Sequence, residues 1–428
     1  MMTVMRQALL IHYHEIALKA GNRGFFVGRL KDNLVAALEG LPLDRIAHPD
    51  GRIAVWLKDD APVEPVIARI QRVFGVANYA VAREAGRELE QIADVAWGML
   101  GEQPFGSFAV RVKRADKTFP MPSLELERKL GGILLARARE KFGPQVKVNL
   151  DAPERTCSVE ITSGPVLVAV DKQPGPGGMP SGTAGRLMCL LSGGFDSAVA
   201  AWFMMKRGAK VHFTHFHATP ERAGESSAPV ARELARRLTP WQFGSQLWLV
   251  PFEEIQRHIV AKAPSEFRII LYRRMMLRIA ERLARRKDCL GLVTGDSLAQ
   301  VASQTLHNLQ TVGEVARLPL YRPLIGFDKE EIMAMARRLG TYEVSSQKFE
   351  DCCPLFMPKH PVIFSELDSV ARAESALDVD ALVQLGLSRA SLERLHFKAG
   401  EVAVETVVKP GEASSSDASP PPLAGDGA

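Results

Sequence analysis

The chain is poor in cysteine, has no long apolar run and lacks the two commonest nucleotide-binding glycine motifs. Five cysteines in 428 residues, none with paired spacing, exclude a disulfide scaffold and point to a reducing compartment, so a cytoplasmic protein is expected. No uninterrupted apolar stretch reaches about 18 residues, which excludes a membrane span. Residues 1–10 are too short and turn polar too soon for a secretion signal. No Gly-rich loop ends in Gly-Lys-Ser/Thr, and no G-x-G-x-x-G opens a helix after a strand, so Walker A and dinucleotide-type phosphate loops are both excluded. No internal repeat of 20–50 residues is visible. What remains is an ordinary globular composition, 46% hydrophobic and 24% charged, long enough for two or three domains. The net charge is +5. Residues 411–428 carry Glu412, Asp417 and Asp426 and no base, so the rest of the chain is more basic and suits a polyanionic partner.

The most informative stretch is Ser192-Gly193-Gly194-Phe195-Asp196-Ser197. It joins an apolar run, Leu187–Leu191, to a helical pattern, Ala198–Arg207. A strand that enters a Gly-rich turn and opens a helix is a pyrophosphate cradle. Its backbone N–H groups approach phosphate oxygens and the helix terminus adds partial positive charge. Ser192 and Ser197 add hydroxyl donors, and Asp196 is a carboxylate placed to hold Mg²⁺ on a nucleotide. The pattern resembles the SGGxDS loop of the PP-loop ATP pyrophosphatases.

Around this loop the sequence reads as three blocks and a tail. Residues 1–62 form a small α+β unit, with a helical pattern over Arg23–Leu38 and a strand over Ile53–Leu57. Lys19 and Arg23 lie near its first turn, where a phosphate contact and a solvated surface charge are both open readings. Residues 63–172 contain the alternating strand Ser107–Arg114, which delivers Arg111, Lys113 and Arg114, and then Lys117, to a loop rim. On charge alone that rim leaves nucleic acid an open question. A Pro/Gly linker spans 173–186. Residues 187–400 alternate strands and helices, which predicts a parallel, doubly wound sheet with its ligand at the carboxyl ends of the strands. Residues 411–428 read as a disordered tail. The basic stretch Arg268–Lys287 is amphipathic, and a tRNA-facing surface and a solvated helix face are equally open.

Two further segments, Val293–Leu306 and Arg322–Ile332, together with the Ser192–Ser197 loop, are similar to those of the bacterial tRNA 4-thiouridine synthetase (tRNA sulfurtransferase) family. Glu15–Lys19 with Asn22-Arg23 and Phe25-Phe26 resembles that family's ferredoxin-like domain, Val110–Arg114 through Pro120 its THUMP domain, and Asp351-Cys352-Cys353-Pro354 its cysteine segment. The resemblance covers residues 1–400 in order. It implies an enzyme that uses ATP and Mg²⁺ to adenylate O4 of uridine 8 of tRNA, after which sulfur displaces AMP. It assigns activation to Asp196 and Lys329, although on the residues alone Lys329 also reads as a surface lysine at a helix start. ATP contacts would come from Leu190, Leu191, Ser192, Gly193, Gly194, Ser197, His215, Phe216, Arg273, Gly295 and Gln304. On residues alone His215 reads as a structural histidine at a strand end rather than as a ligand. RNA contacts would come from Lys19, Arg23, Arg111, Lys113, Arg114 and Lys117.

The resemblance assigns sulfur chemistry to Cys352, with its neighbour Cys353 leaving open which thiol acts. Adjacent cysteines make awkward zinc ligands, and an iron–sulfur cluster would need at least three reachable thiols. Cys157, Cys189 and Cys289 sit in apolar strands and read as inert core thiols. The family's C-terminal rhodanese domain has no counterpart in this sequence, so a cysteine desulfurase or another persulfide donor is the expected partner. A role in thiamine thiazole synthesis is correspondingly weakened. Related enzymes often dimerise, but the sequence does not give the oligomeric state, and a homodimer is left open. Rival readings are another PP-loop tRNA-modifying enzyme and a non-catalytic tRNA-binding protein. A THUMP methyltransferase is excluded because no Gly-rich methyl-donor loop follows a strand.

Overall fold

The computed structural model describes residues 6–218, 226–346 and 361–408. The described residues divide into two compact units. Residues 6–183 make up most of the first, with 206–208 and 398–401, and the remainder forms the second.

The first unit is built from β1 (Gln7–His12), α1 (Arg23–Leu38), β2 (Leu43–Ala47), β3 (Ile53–Leu57), α2 (Glu64–Ile70), β4 (Asn78–Ala85), α3 (Leu89–Leu100), β5 (Ser107–Arg114), α4 (Ser123–Phe142), β6 (Lys147–Val148), β7 (Arg155–Ile161), β8 (Val166–Val170) and β9 (Gln173–Pro174). The strands form one sheet ordered β2-β3-β1-β4-β8-β7-β5-β6, with β9 paired to β4. The central run is antiparallel, and β5 joins β7 in parallel. Period-2 alternation explains β5: Phe108, Val110 and Val112 enter a core with Leu126, Leu130 and Leu134 of α4, while Arg111 and Lys113 face outward.

The second unit runs β10 (Arg186–Leu190), α5 (Phe195–Lys206), β11 (Lys210–His217), α6 (Ala228–Leu238), β12 (Gly244–Pro251), α7 (Glu253–Lys262), α8 (Arg268–Arg285), β13 (Leu292–Val293), α9 (Leu306–Gly313), β14 (Leu320–Tyr321), α10 (Lys329–Leu339), α11 (Tyr342–Ser345), α12 (Leu367–Glu374), α13 (Val379–Ser388), β15 (Ser391–Lys398) and β16 (Glu401–Val408). Its sheet is ordered β14-β13-β10-β11-β12-β15-β16. From β14 to β12 every pairing is parallel. The predicted parallel sheet is therefore present, but it is not the whole sheet: β15 joins β12 antiparallel, from Gly244↔His396 to Leu249↔Ser391. The reading of 187–400 as strand–helix alternation missed this strand because Arg394, His396 and Lys398 break up its apolar face.

After β10 the chain steps to β11 and β12 on one side, then returns through β13 on the other. The reversal opens a crevice between β10 and β13 at the carboxyl ends of the strands, where doubly wound sheets bind ligands. The principal core of this unit packs α8 against the sheet through Ile270, Met275, Ile279 and Leu283, facing Met188, Trp248 and Leu392.

Candidate active site

At the end of β10, the turn into α5 is held by its own serines. Ser197 Oγ accepts from the Ser192 N–H at 3.0 Å and donates to the Gly194 carbonyl at 3.2 Å. Ser192 Oγ lies 3.1 Å from Ser197 Oγ and accepts from the Gly194 N–H at 3.2 Å. The loop is thus closed before any ligand arrives. A rigid ring of this kind leaves the first amides of α5 as the unpaired donors that an anion needs.

Asp196 stands in the first turn of α5, half-buried. Its Oδ2 accepts from Gln300 Nε2 at 3.2 Å, while its Oδ1 is buried with no hydrogen-bond partner. Burial raises its pKa above the ordinary carboxylate range; the Gln300 hydrogen bond and the Lys329 ammonium pull it back, and Asp296 pushes it further up. Lys329 opens α10, after an Asp328–Glu331 capping box, and its side chain is exposed. Residues from two segments, the loop after β13 and the start of α10, therefore act on one carboxylate whose second oxygen lacks a partner.

The facing wall follows β13. Asp296 is buried and clamped: Oδ1 accepts from Arg273 at 2.5 Å and from Gln304 at 3.4 Å, and Oδ2 from Thr294 at 2.7 Å and Arg322 at 3.3 Å. Burial opposes its charge, but Arg273, Thr294 and Arg322 overcome this and hold its pKa low. Arg273 also donates to the Ser303 carbonyl at 2.9 Å. Gly295 must be glycine here. A Cβ at that position would lie 2.5 Å from the Ser197 amide nitrogen and 2.8 Å from the Asp196 carbonyl carbon, so only a bare backbone lets this loop touch the start of α5. A cavity of about 410 Å³ opens between the walls, lined by Leu190, Ser192, Asp196, Ser197, Arg273 and Gln304 among others. That volume suits a ligand of nucleotide size.

The other expected ATP contacts occupy different places. His215 is fully buried with both ring nitrogens engaged, Nδ1–H to the Leu191 carbonyl and Nε2 to Ser227 Oγ, each at 2.8 Å. Burial takes its pKa down to about 4. As a neutral strut it fixes Leu191, the residue before the loop, to the start of α6. Phe216 packs edge-on against Phe252 in the core. Neither side chain lines the cavity. Cys352 and Cys353 lie outside the described residues. The three described cysteines are buried, and burial takes the thiols of Cys157 and Cys289 up to about 12 and that of Cys189 higher still.

Comparison with known proteins bears directly on this arrangement. The profile described as thiamine biosynthesis protein (ThiI) matches residues 182–379, the ThiI ferredoxin-like domain residues 8–80, and the THUMP domain residues 87–171. A probable tRNA sulfurtransferase of Thermus thermophilus is 45% identical over 384 residues, covering 90% of this chain and 93% of the relative. A second, from Moorella thermoacetica, is 40% identical over 89% of this chain and 95% of the relative. The chain belongs to the tRNA sulfurtransferase family. Among solved structures, a 4-thiouridine synthetase–RNA complex with bound ATP superposes with a TM-score of 0.79 at 28% identity, covering 91% of this chain and 99% of that one. PH1313 from Pyrococcus horikoshii reaches 0.60 at 25% identity, covering 78% and 99%.

In this sulfurtransferase the basic residues expected at RNA differ in their freedom. In the first unit Arg111 and Lys113 are exposed on β5, and Arg111 also donates to the Leu150 carbonyl. Arg114 is engaged at home, donating to the Phe119 carbonyl at 2.9 Å, while Lys117 caps the Arg114 carbonyl at 3.2 Å. Lys19 stacks over Phe26, and Arg23 donates to the Tyr13 hydroxyl at 3.2 Å. The basic face of α8 is split: buried Arg274 and half-buried Arg278 converge on Glu374, while Arg282 and Arg285 are exposed, Arg285 pairing with Glu281. Sequence reasoning singled out Arg273, Gly295 and Gln304 but missed Asp296, Gln300 and Arg322. All three lie inside motifs it had marked, and a carboxylate directly after a post-strand glycine was the available signal.

Proposed function

We propose that this chain is an ATP-dependent tRNA uracil 4-sulfurtransferase that adenylates O4 of uridine 8 and replaces it with sulfur to give 4-thiouridine. A carbonyl oxygen is a poor leaving group, and transfer of the α-phosphoryl of ATP to O4, with loss of pyrophosphate, converts it into AMP, a good one. The observation that carries the reading is the preformed Ser192–Ser197 ring with the unpartnered Asp196 Oδ1 beside it, on a nucleotide-sized cavity. The ring's amides and the start of α5 bind the departing pyrophosphate, and Lys329 offsets phosphate charge. Gln300 orients Asp196, and Asp296 fixes Arg273 at the cavity wall. The donor set fits Mg²⁺: a nucleotide-bound ion takes most of its ligands from phosphates and water and needs one or two carboxylates, here Asp196. When bound, the ion neutralises developing phosphate charge.

The RNA contacts we assign to the first unit are Lys19, Arg23, Arg111, Lys113, Arg114 and Lys117, with the exposed Arg111 and Lys113 supporting the assignment most strongly. Sulfur enters through Cys352 or Cys353. Each turnover consumes one sulfur atom, so a persulfide from a separate donor, such as a cysteine desulfurase, must replenish them.

The test is nucleoside mass spectrometry of unmodified tRNA incubated with the protein, ATP, Mg²⁺ and inorganic sulfide. 4-Thiouridine is expected with the wild type and should fall by at least 10²-fold in Asp196→Ala, the usual scale for loss of a charge-stabilising group. Product at another nucleoside would redirect the reading to a different tRNA thiolation. With sulfide as donor, Cys352→Ala and Cys353→Ala are expected to stay active; with a persulfide donor at least one should lose activity.

A further inference from the structure

At the amino ends of its strands, away from the site just described, the second unit carries another cleft of about 980 Å³. Its floor is the sheet face that α8 covers further along. Met188, Trp248 and Leu392 meet that helix, but α8 stops at Arg285, and beyond its end the same face turns cationic. Arg186 pairs with Lys210 across β10–β11, and Arg394 sits opposite Gln246 across β12–β15. Arg285, Arg286 and Lys287 close the rim from the end of the helix, so six cations surround one carboxylate, Asp288, which lies 3.4 Å from Arg186. A helix carboxyl terminus accounts for Arg285 and Arg286. It gives no reason for Arg186, Lys210 and Arg394, which three separate strands bring to the same place.

Two buried polar atoms in the cleft are unfilled. His212, 9% exposed, has no partner for Nδ1, and neither does Gln246 for Oε1. Among the described residues the side chains of Arg286 and Arg394 make no hydrogen bond or ion pair. Guanidinium forks are suited to phosphate oxygens, and half-buried Phe243 with exposed His396 puts rings at the edge, where a base can stack. We propose that this cleft binds the phosphodiester backbone of RNA, as an anchoring surface separate from the ATP crevice and from the basic rim of the first unit. The inference rests on the reading of the chain as a tRNA-modifying enzyme.

The experiment is fluorescence anisotropy of labelled unmodified tRNA on the full-length protein between 50 and 200 mM KCl. Arg286→Gln/Arg394→Gln is compared with wild type and with Lys262→Gln/Arg338→Gln, which removes the same charge outside the cleft. The cleft variant is expected to bind about tenfold more weakly, with a log Kd–log salt slope shallower by about two, one for each phosphate no longer neutralised. ATP affinity should be unchanged. A cleft variant that matches wild type or the control pair in both affinity and slope overturns the proposal. So does thermal stabilisation by tripolyphosphate that disappears in the variant while tRNA binding is intact, because the cleft would then take free polyphosphate. Failure of the wild type to bind tRNA at all sinks the underlying functional reading instead.

Discussion

At the scale of single residues the site is organised by two carboxylates with opposite environments. Asp196 has one oxygen without a partner and a pKa raised by burial; Asp296 has four donors and a pKa held low. Their substitutions should therefore fail differently. Asp196→Asn removes a charge that only a bound nucleotide needs, so the protein should melt as the wild type does while tRNA-dependent AMP formation collapses. Asp296→Ala strands Arg273 and Arg322 without their shared partner, in a setting where removing one member of a buried ion pair costs about 3–5 kcal/mol. Urea denaturation should register that loss. A variant as stable as wild type would show that the clamp is not what holds this wall. His215 bears out the structural reading that its residue type favours at a strand end: its two ring nitrogens are engaged by Leu191 and Ser227.

Between elements, close approach decides more than residue chemistry. The loop after β13 touches α5 only because residue 295 has no side chain, so Gly295→Ala should force the two apart and weaken ATP binding by at least tenfold in calorimetry. Glu374 joins α12 to α8. Burial pushes its pKa up, yet the forks of Arg278 and Arg274 hold it at about 2 against an ordinary 4.5, corresponding to on the order of 3 kcal/mol. Because the folded value is the lower one, that stabilisation is present above about pH 4.5 and is lost as pH falls towards 2. Glu374→Gln should remove it at neutral pH. Much of this architecture was legible in the sequence: β5 follows from alternation, β3 and β8 from short apolar runs, α1 from its 3.6-residue period, and the crevice from a Gly-rich turn after an apolar run. Two things were not. Arg273, Arg274 and Arg278 of α8 pair with Asp296, Glu314 and Glu374, 23 to 100 positions away, which periodicity cannot register, so a partly internal network looked like a surface stripe. Strand β15 carries charges on the face that lines the amino-end cleft, and so its alternation was masked.

For the molecule as a whole, both units bury histidines kept neutral. In the first, burial, with Lys172, Lys113 and Arg52 nearby, takes His12 down to about 3. In the second, burial takes His212 and His215 down to about 4. Unfolded histidines take up protons near pH 6.5 and these do not, so stability present above 6.5 should drain away as pH falls towards 4. Urea titrations at pH 7.5, 5.5 and 4.5 should show the midpoint falling stepwise, and a pH-independent midpoint would refute the assignment. The strand order also sets a schedule for synthesis. Strand β12 is complete at residue 251, but the neighbour that covers its free edge begins only at residue 391. At about 5–20 residues per second, a ribosome leaves that edge open for on the order of ten seconds. For that interval the nascent nucleotide-binding sheet has an open hydrogen-bonding edge, a window in which a chaperone would have its clearest work.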